Sequence, residues 1–394
     1  MKNTFRFWVI LFFAVSILKA EDGKGIKFET TTWNEILAKA SSEQKLIFLD
    51  AYADWCGPCK WMSKNVFTND TVAQFFNENF INAKIDMEKG EGVQIAQKYG
   101  VRAYPTFLYI NGNGKLIHRT CGSCPPQDFL GLAKDALNPE KQLATIKKNY
   151  EADPGNVEVA KKYFALLENA CMRANEDIAK YFATLKEKDL ITADNWEMIQ
   201  LYQNDSDSRE FKYLVKNRKK FAEKYSDEKV DEKINSVFEG SLRDYLRLNN
   251  LKEYEALKTK IKKSGIPTGE KIILVADLNL YKKKKDWKKF VATAEKYVSK
   301  YGKNDFSQLN SISWTVFENC NDKPSLLKAE KWAKLSVELK DEYANNDTYA
   351  NILYKLGKKQ EAKIAAEKSI ELAKKSGEDY TETQNLLNQI LMEK

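Results

Sequence analysis

A nearly continuous apolar stretch, Lys45 to Ala51, runs almost directly into Cys56-Gly57-Pro58-Cys59, and no other feature constrains the fold as tightly. An apolar run of strand length without alternation implies a strand buried on both faces. Pro58 then marks a helix start. Proline lacks the N–H that a first helical turn leaves unpaired, and its φ is preset. The flanking sequence continues this strand–helix alternation. Gly25 to Phe28 reads as a short strand, Thr31 to Ala40 as a helix, and a further helix begins at about Pro58. Asn82 to Asp86 reads as a strand and Gly92 to Tyr99 as a short helix. Thr106 to Ile110 and Leu116 to Thr120 flank Asn111-Gly112-Asn113-Gly114, a strong hairpin signal, and Gln127 to Leu137 closes with a helix. This order predicts an α/β domain over residues 21–138, a mixed sheet flanked by helices.

After Asn138-Pro139 the strand pattern stops. Residues 139–394 are rich in Lys, Glu, Ala, Leu and Tyr at helical spacing, so an all-α domain is expected. Breaks are expected near Asp153-Pro154-Gly155, Asn204-Asp205-Ser206, Gly265-Ile266-Pro267, Gly302-Lys303-Asn304 and Asn345-Asn346-Asp347. Ala222 to Tyr225, Ala294 to Tyr297 and Ala329 to Trp332 repeat one pattern at offsets of 72 and 35 residues. In the last unit, small residues at Ala350, Ala362 and Ala366 allow close helix packing, and Gly357 allows the turn. This unit resembles a tetratricopeptide repeat, most clearly over 305–380, although Lys374 stands where that family usually has proline. The resemblance implies stacked helix pairs that bind a protein partner. An irregular helical bundle is the alternative.

The N-terminus reads as an address. Met1 to Arg6 is basic, Phe7 to Leu18 is an apolar run of twelve, and Lys19-Ala20 leads into acidic Glu21-Asp22. That is a signal-peptide pattern over residues 1–20, with cleavage expected after Ala20. An uncleaved anchor is the alternative. Export would place the six cysteines in an oxidising periplasmic or extracellular space. The net charge of +8 is spread through mixed-sign helical sequence without a basic stripe, so no nucleic-acid partner is expected.

The chemistry is expected at Cys56 and Cys59. A thiol at a helix N-terminus meets unpaired N–H groups and the positive dipole end, which favour its thiolate. An exposed Cys56 attacks a substrate disulfide. Cys59, deeper in the helix, then attacks Cys56 and releases the reduced product. His118, the only histidine, alternates on a strand and is expected at the surface without a catalytic role.

Trp55-Cys56-Gly57-Pro58-Cys59-Lys60 resembles the active site of the thioredoxin family, and the similarity covers residues 28–138. The resemblance implies roles for further residues. Asp50 stands at the position of the buried carboxylate that takes the proton of the second cysteine, and Lys84 at that of its lysine partner. Tyr104-Pro105-Thr106 matches the cis-proline loop that pairs with substrate backbone. Gly122 matches the glycine bordering the substrate groove, and Trp55, Gly57 and Pro58 complete the substrate-binding surface. Tyr104 before that proline is similar to protein disulfide isomerase domains. Tyr52 to Cys56, with Val66-Phe67-Thr68, resembles the C-terminal domain of the thiol–disulfide interchange protein DsbD. Gly-Pro between the cysteines accompanies reducing potentials in the family.

Cys121-Gly122-Ser123-Cys124 departs from the family pattern. Cys121 and Cys124 are expected either as a second redox pair exchanging with Cys56 or as a local staple, with the staple preferred because Pro125-Pro126 stiffens the loop. A four-cysteine zinc site has an unusual spacing, and no metal is expected. Haem attachment is excluded, since Lys60 and Pro125 follow the pairs where His is required. Cys171 and Cys320 sit in helical patterns and read as small core residues, with a bond between them left open.

The expectation is an exported, cofactor-free oxidoreductase that reduces or isomerises disulfides in exported proteins and is recharged by a membrane electron donor. The alternative is a non-catalytic helical scaffold carrying a thioredoxin-like recognition module.

Overall fold

The computed structural model describes residues 25–392, and the leader expected at 1–20 lies outside the described residues. The chain forms two compact units, one running to Met198 and the other from Ile199.

The first unit carries strands β1 (Leu46–Tyr52), β2 (Phe80–Asp86), β3 (Thr106–Ile110) and β4 (Leu116–Cys121), in the spatial order β2-β1-β3-β4. β1 is parallel to β2 and antiparallel to β3, and β3 is antiparallel to β4. The helices are α1 (Trp33–Glu43), α2 (Gly57–Asn65), α3 (Asp70–Asn79), α4 (Gly92–Tyr99) and α5 (Pro126–Leu137). Parallel strands need a crossover, which α2 and α3 supply between β1 and β2. The mixed sheet with flanking helices is the α/β architecture expected from the sequence.

Strand alternation divides the core into two layers. Ile47, Leu49 and Leu108 pack with Trp33, Ile36, Ile95 and Tyr99 of α1 and α4. Phe48, Phe107 and Tyr109 pack on the other face with Met62, Phe76 and Phe129 of α2, α3 and α5. The Phe48 ring lies 4.7 Å from Phe76 and 5.8 Å from Phe129, edge-on to both. By the same alternation Asp50 points to the α2 face, which brings a carboxylate beneath the helix that Cys56 caps and that contains Cys59. The hairpin between β3 and β4 is held by Asn111, whose Oδ1 accepts the N–H groups of Asn113 and Lys115. Gly112 is required there, because a Cβ would stand 2.4 Å from the Ser41 Cα.

Some details of the first unit differ from the sequence reading or add to it. Gly25 to Phe28 forms no strand. Its neighbourhood bonds to two different elements, Ile26 N–H to the Phe67 carbonyl and Glu29 N–H to the Asn82 carbonyl, so no ladder develops. The helix begun at Gly57 ends at Asn65, and α3 starts separately where the Asn69 side chain caps Val72 N–H. His118 is buried: its Nδ1 accepts the N–H of Leu143, the first residue of α6 (Leu143–Ala152). Burial drives its pKa down to about 4, so it stays neutral and serves as an acceptor. α6 and α7 (Val157–Asn169) lie against β4, the last strand of the sheet.

The second unit contains only helices among its described elements. Helices Tyr343–Lys355 and Lys359–Ser376 pack through buried Ala350, Ala362 and Ala366, with Gly357 at φ +78° between them. The expected break at Asn345-Asn346-Asp347 falls inside the first of these helices. The actual break is at Lys340–Glu342, and the two asparagines serve it: Asn345 donates to the Lys340 carbonyl and Asn346 to the Glu342 carbonyl. No helix among the described residues is long and apolar enough to cross a membrane.

Candidate active site

The chain leaves β1 at Tyr52 and reaches Cys56, the N-cap of α2. Cys56 and Cys59 form a disulfide with Cα atoms 5.3 Å apart, and Cys56 Sγ accepts the Cys59 N–H at 3.0 Å. A thiolate at this position would keep that donor and gain the helix dipole. The expectation of an exposed first cysteine is corrected in this disulfide form. Both cysteines are 2% exposed, because Ala53, Tyr52 and Tyr104 pack around them. Selectivity between the two thiols therefore rests on the cap position of Cys56. After reduction, brief iodoacetamide treatment at neutral pH should label Cys56 about tenfold faster than Cys59. Equal labelling by mass spectrometry would remove the helix-terminus argument.

Asp50 is 1% exposed, and neither carboxylate oxygen has a hydrogen-bond partner among the described residues. Lys84 lies opposite it in the parallel β1–β2 register, with Nζ 3.3 Å from Asp50 Oδ2. The Lys84 ammonium is shared with other partners. It donates to Ser63 Oγ and sits 5.0 Å above the Tyr52 ring. Burial pushes the Asp50 pKa up to about 6, and the Lys84 charge offsets only part of that rise. A cavity of about 330 Å³ is lined by Cys59, Ser63, Lys84, Tyr52 and Asp54, so Cys59 and the Asp50 partner open onto the same space. A buried carboxylate with its pKa raised to about 6, paired with a lysine that lines this cavity, can exchange a proton during thiol chemistry.

The remaining predicted residues gather at the outer face. Trp55 is 69% exposed, donates through Nε1 to Glu88, and stacks edge-on against Tyr104 at 5.9 Å. The Tyr104–Pro105 bond is cis, and the Pro105 carbonyl accepts the Gly122 N–H at 2.9 Å. Gly122 has φ +88° with open space around its missing Cβ, so its glycine is needed for backbone conformation alone. Gly57 also has open space about it, and Pro58 lies in the first turn of α2. Sequence reasoning missed Ser63 and Glu88. The first had a legible signal: Ser63 stands one helical turn after Cys59 and donates to its carbonyl.

The expected bridge between Cys121 and Cys124 is corrected. Cys121 is bonded to Cys171, in the turn after α7, while Cys124 and Cys320 are free thiols. The packing of α7 against β4 brings positions 121 and 171 together. Cys124 instead turns inward and packs against the Phe129 layer, where burial raises its thiol pKa. Cys171 is accordingly an exposed turn residue rather than a helical core residue, and the bond left open between Cys171 and Cys320 does not form. Among the described residues no group of three or more metal-ligating side chains converges.

Residues 29–112 match a family model described as Thioredoxin-like. The chain is similar to Thioredoxin H1 of Arabidopsis thaliana, at 31% identity over 107 residues, covering 27% of this chain and 88% of the relative. It is 38% identical over 76 residues to Thioredoxin-1 of Drosophila yakuba, covering 19% of this chain and 66% of that protein's length. A candidate disulphide-isomerase from Bacteroides thetaiotaomicron, known from a solution structure, is 44% identical, covering 30% of this chain and 97% of its own, with a TM-score of 0.28.

Proposed function

We propose, from the premise that this chain belongs to the thioredoxin family, that it is an exported thiol–disulfide oxidoreductase that reduces or isomerises disulfides in other exported proteins. The observation that carries the reading is the Cys56–Cys59 disulfide at the N-terminus of α2, with the buried Asp50–Lys84 pair behind it. In the reduced enzyme the Cys56 thiolate attacks a substrate disulfide, and one substrate sulfur leaves as a thiolate and takes a proton. Cys59 loses its proton towards Asp50, directly or through the cavity beside Lys84. Its thiolate then attacks Cys56 Sγ, closes the Cys56–Cys59 bond and expels the second substrate thiol. Two electrons pass to the substrate, and an electron donor in the membrane restores the dithiol. Trp55, Tyr104, Pro105 and Gly122 form the substrate face, with Gly57 and Pro58 beside Cys56 at the start of α2.

Export rests on the basic, apolar and cleavage-site pattern of residues 1–20 and places the protein in the periplasm or outside the cell. The helices beyond residue 139, which carry the tetratricopeptide-like pattern at 305–380, are assigned to binding a protein partner.

The test is covalent trapping. Cys59→Ser should hold substrates as mixed disulfides through Cys56, because nothing resolves the intermediate. Pull-downs from an oxidising extract should yield partners released by dithiothreitol. A Cys59→Ser protein that carries no disulfide-linked partner would favour the non-catalytic scaffold.

A further inference from the structure

We infer that the Cys121–Cys171 bridge is a second redox couple, in which Cys171 is the sulfur that an incoming thiolate attacks and Cys121 is the leaving thiolate, stabilised by Arg119. The inference does not depend on the direction of electron flow at Cys56–Cys59.

The bridge is placed for exchange. Cys171 is exposed, in the turn that follows α7. Cys121 is half-buried at the end of β4, opposite Thr106 in the β3–β4 register. The next residue, Gly122, bonds the Pro105 carbonyl, so the bridge borders the loop that packs against Trp55 and the active-site cysteines. An outside thiolate can reach Cys171 without any part of the core opening.

The second observation is Arg119. Alternation along β4 puts its side chain on the same face as Cys121, two positions away, about 7 Å along the strand. Arg119 is 1% exposed. One terminal nitrogen donates to the Tyr99 carbonyl at 2.9 Å and the Gly100 carbonyl at 3.2 Å, at the end of α4. Its Nε and its other terminal nitrogen have no partner among the described residues. The charge felt most strongly nearby is a second cation, Arg102. A buried guanidinium with two unused donors and no acidic partner is costly. An inert staple gives it nothing to bind. A thiolate at Cys121 would supply the missing anion, and it exists only when the bridge is open. Arg119 thus favours the open form of this bridge over a closed one.

The reaction balances with a dithiol donor. One donor thiolate attacks Cys171 Sγ, the Cys121–Cys171 bond breaks, and its electron pair leaves on Cys121 Sγ. The donor's second thiolate attacks the mixed disulfide, closes the donor's own disulfide and releases Cys171, which takes a proton. Two electrons move from the donor to the Cys121/Cys171 pair.

The experiment equilibrates the full chain in buffers of reduced and oxidised dithiothreitol, quenches by alkylation and maps each cysteine peptide. The equilibrium constant for opening Cys121–Cys171 should lie within about a hundredfold of that for Cys56–Cys59 in the same samples. A bridge that is harder to open by more than that factor is a staple, and the proposal fails. In the fully reduced protein, Cys121 should be alkylated before the more exposed Cys171. Arg119→Lys should keep that order and Arg119→Met should reverse it. Should Arg119→Met not fold, the order in the unaltered chain still decides: Cys171 reacting first would overturn the role of Arg119.

Discussion

Cys56→Ser is expected to lower the reduction of insulin disulfides by about a thousandfold or more, equivalent to about 4 kcal/mol of transition-state stabilisation. A serine hydroxyl keeps the N-cap bond to the residue 59 N–H, so the helix start survives, but it provides no thiolate and no sulfur to exchange. The loss should appear in turnover while the melting curve under reducing conditions moves little. Insulin precipitation kinetics beside a thermal melt would measure both. Retained turnover would move the chemistry to the Cys121–Cys171 bridge or away from this protein.

Asp50→Asn is expected to stabilise the fold at pH 7 by about 3 kcal/mol while slowing turnover. The carboxyl is raised from its ordinary 3.8 to about 6 by burial, so the folded state holds its proton more tightly than the unfolded chain. At about 1.36 kcal/mol per pH unit of difference, ionised Asp50 therefore costs stability above its folded pKa. The sign is opposite to that of a salt-bridged surface aspartate. The cost is absent below about pH 4, grows as the pH rises towards 6, and is fully present at neutrality. The amide removes it across that window. Lys84 tolerates the change because it keeps Ser63 and a partly exposed position. Urea denaturation of both proteins at pH 4 and pH 7 checks the account: the difference should be large at pH 7 and small at pH 4. Destabilisation at pH 7 would mean that the Lys84 pair outweighs the burial of Asp50.

The elements with a local cause were legible in the sequence. Gly92–Tyr99 appears with the bounds read from it, ended by Gly100 in the left-handed region, and the run ending at Ala51 forms β1, an interior strand of the sheet. The dithiol helix follows from Pro58 and from an N-cap that a cysteine can fill. What escaped depends on partners far along the chain. His118 looks like a surface residue until α6 covers β4, since nothing at positions 116–120 announces Leu143. The 121–171 bridge spans 50 residues, and a nearer cysteine at 124 made the local pairing attractive. Only the packing of α7 against β4 selects between them. Asn345 and Asn346 looked like a loop because asparagine favours turns, but their amides bond back to carbonyls at the preceding break from inside the helix.

The central claim, that Cys56 and Cys59 form a reducing couple, is tested most directly by their reduction potential in the protein lacking residues 1–20. Equilibration with glutathione or dithiothreitol, read at the Cys56 and Cys59 peptides, gives it without any assumption about the substrate. A potential near the −270 mV typical of thioredoxin, to within about 30 mV, is the predicted result. A value near about −120 mV, the range of strong oxidants, would contradict it and make the protein a donor of disulfides.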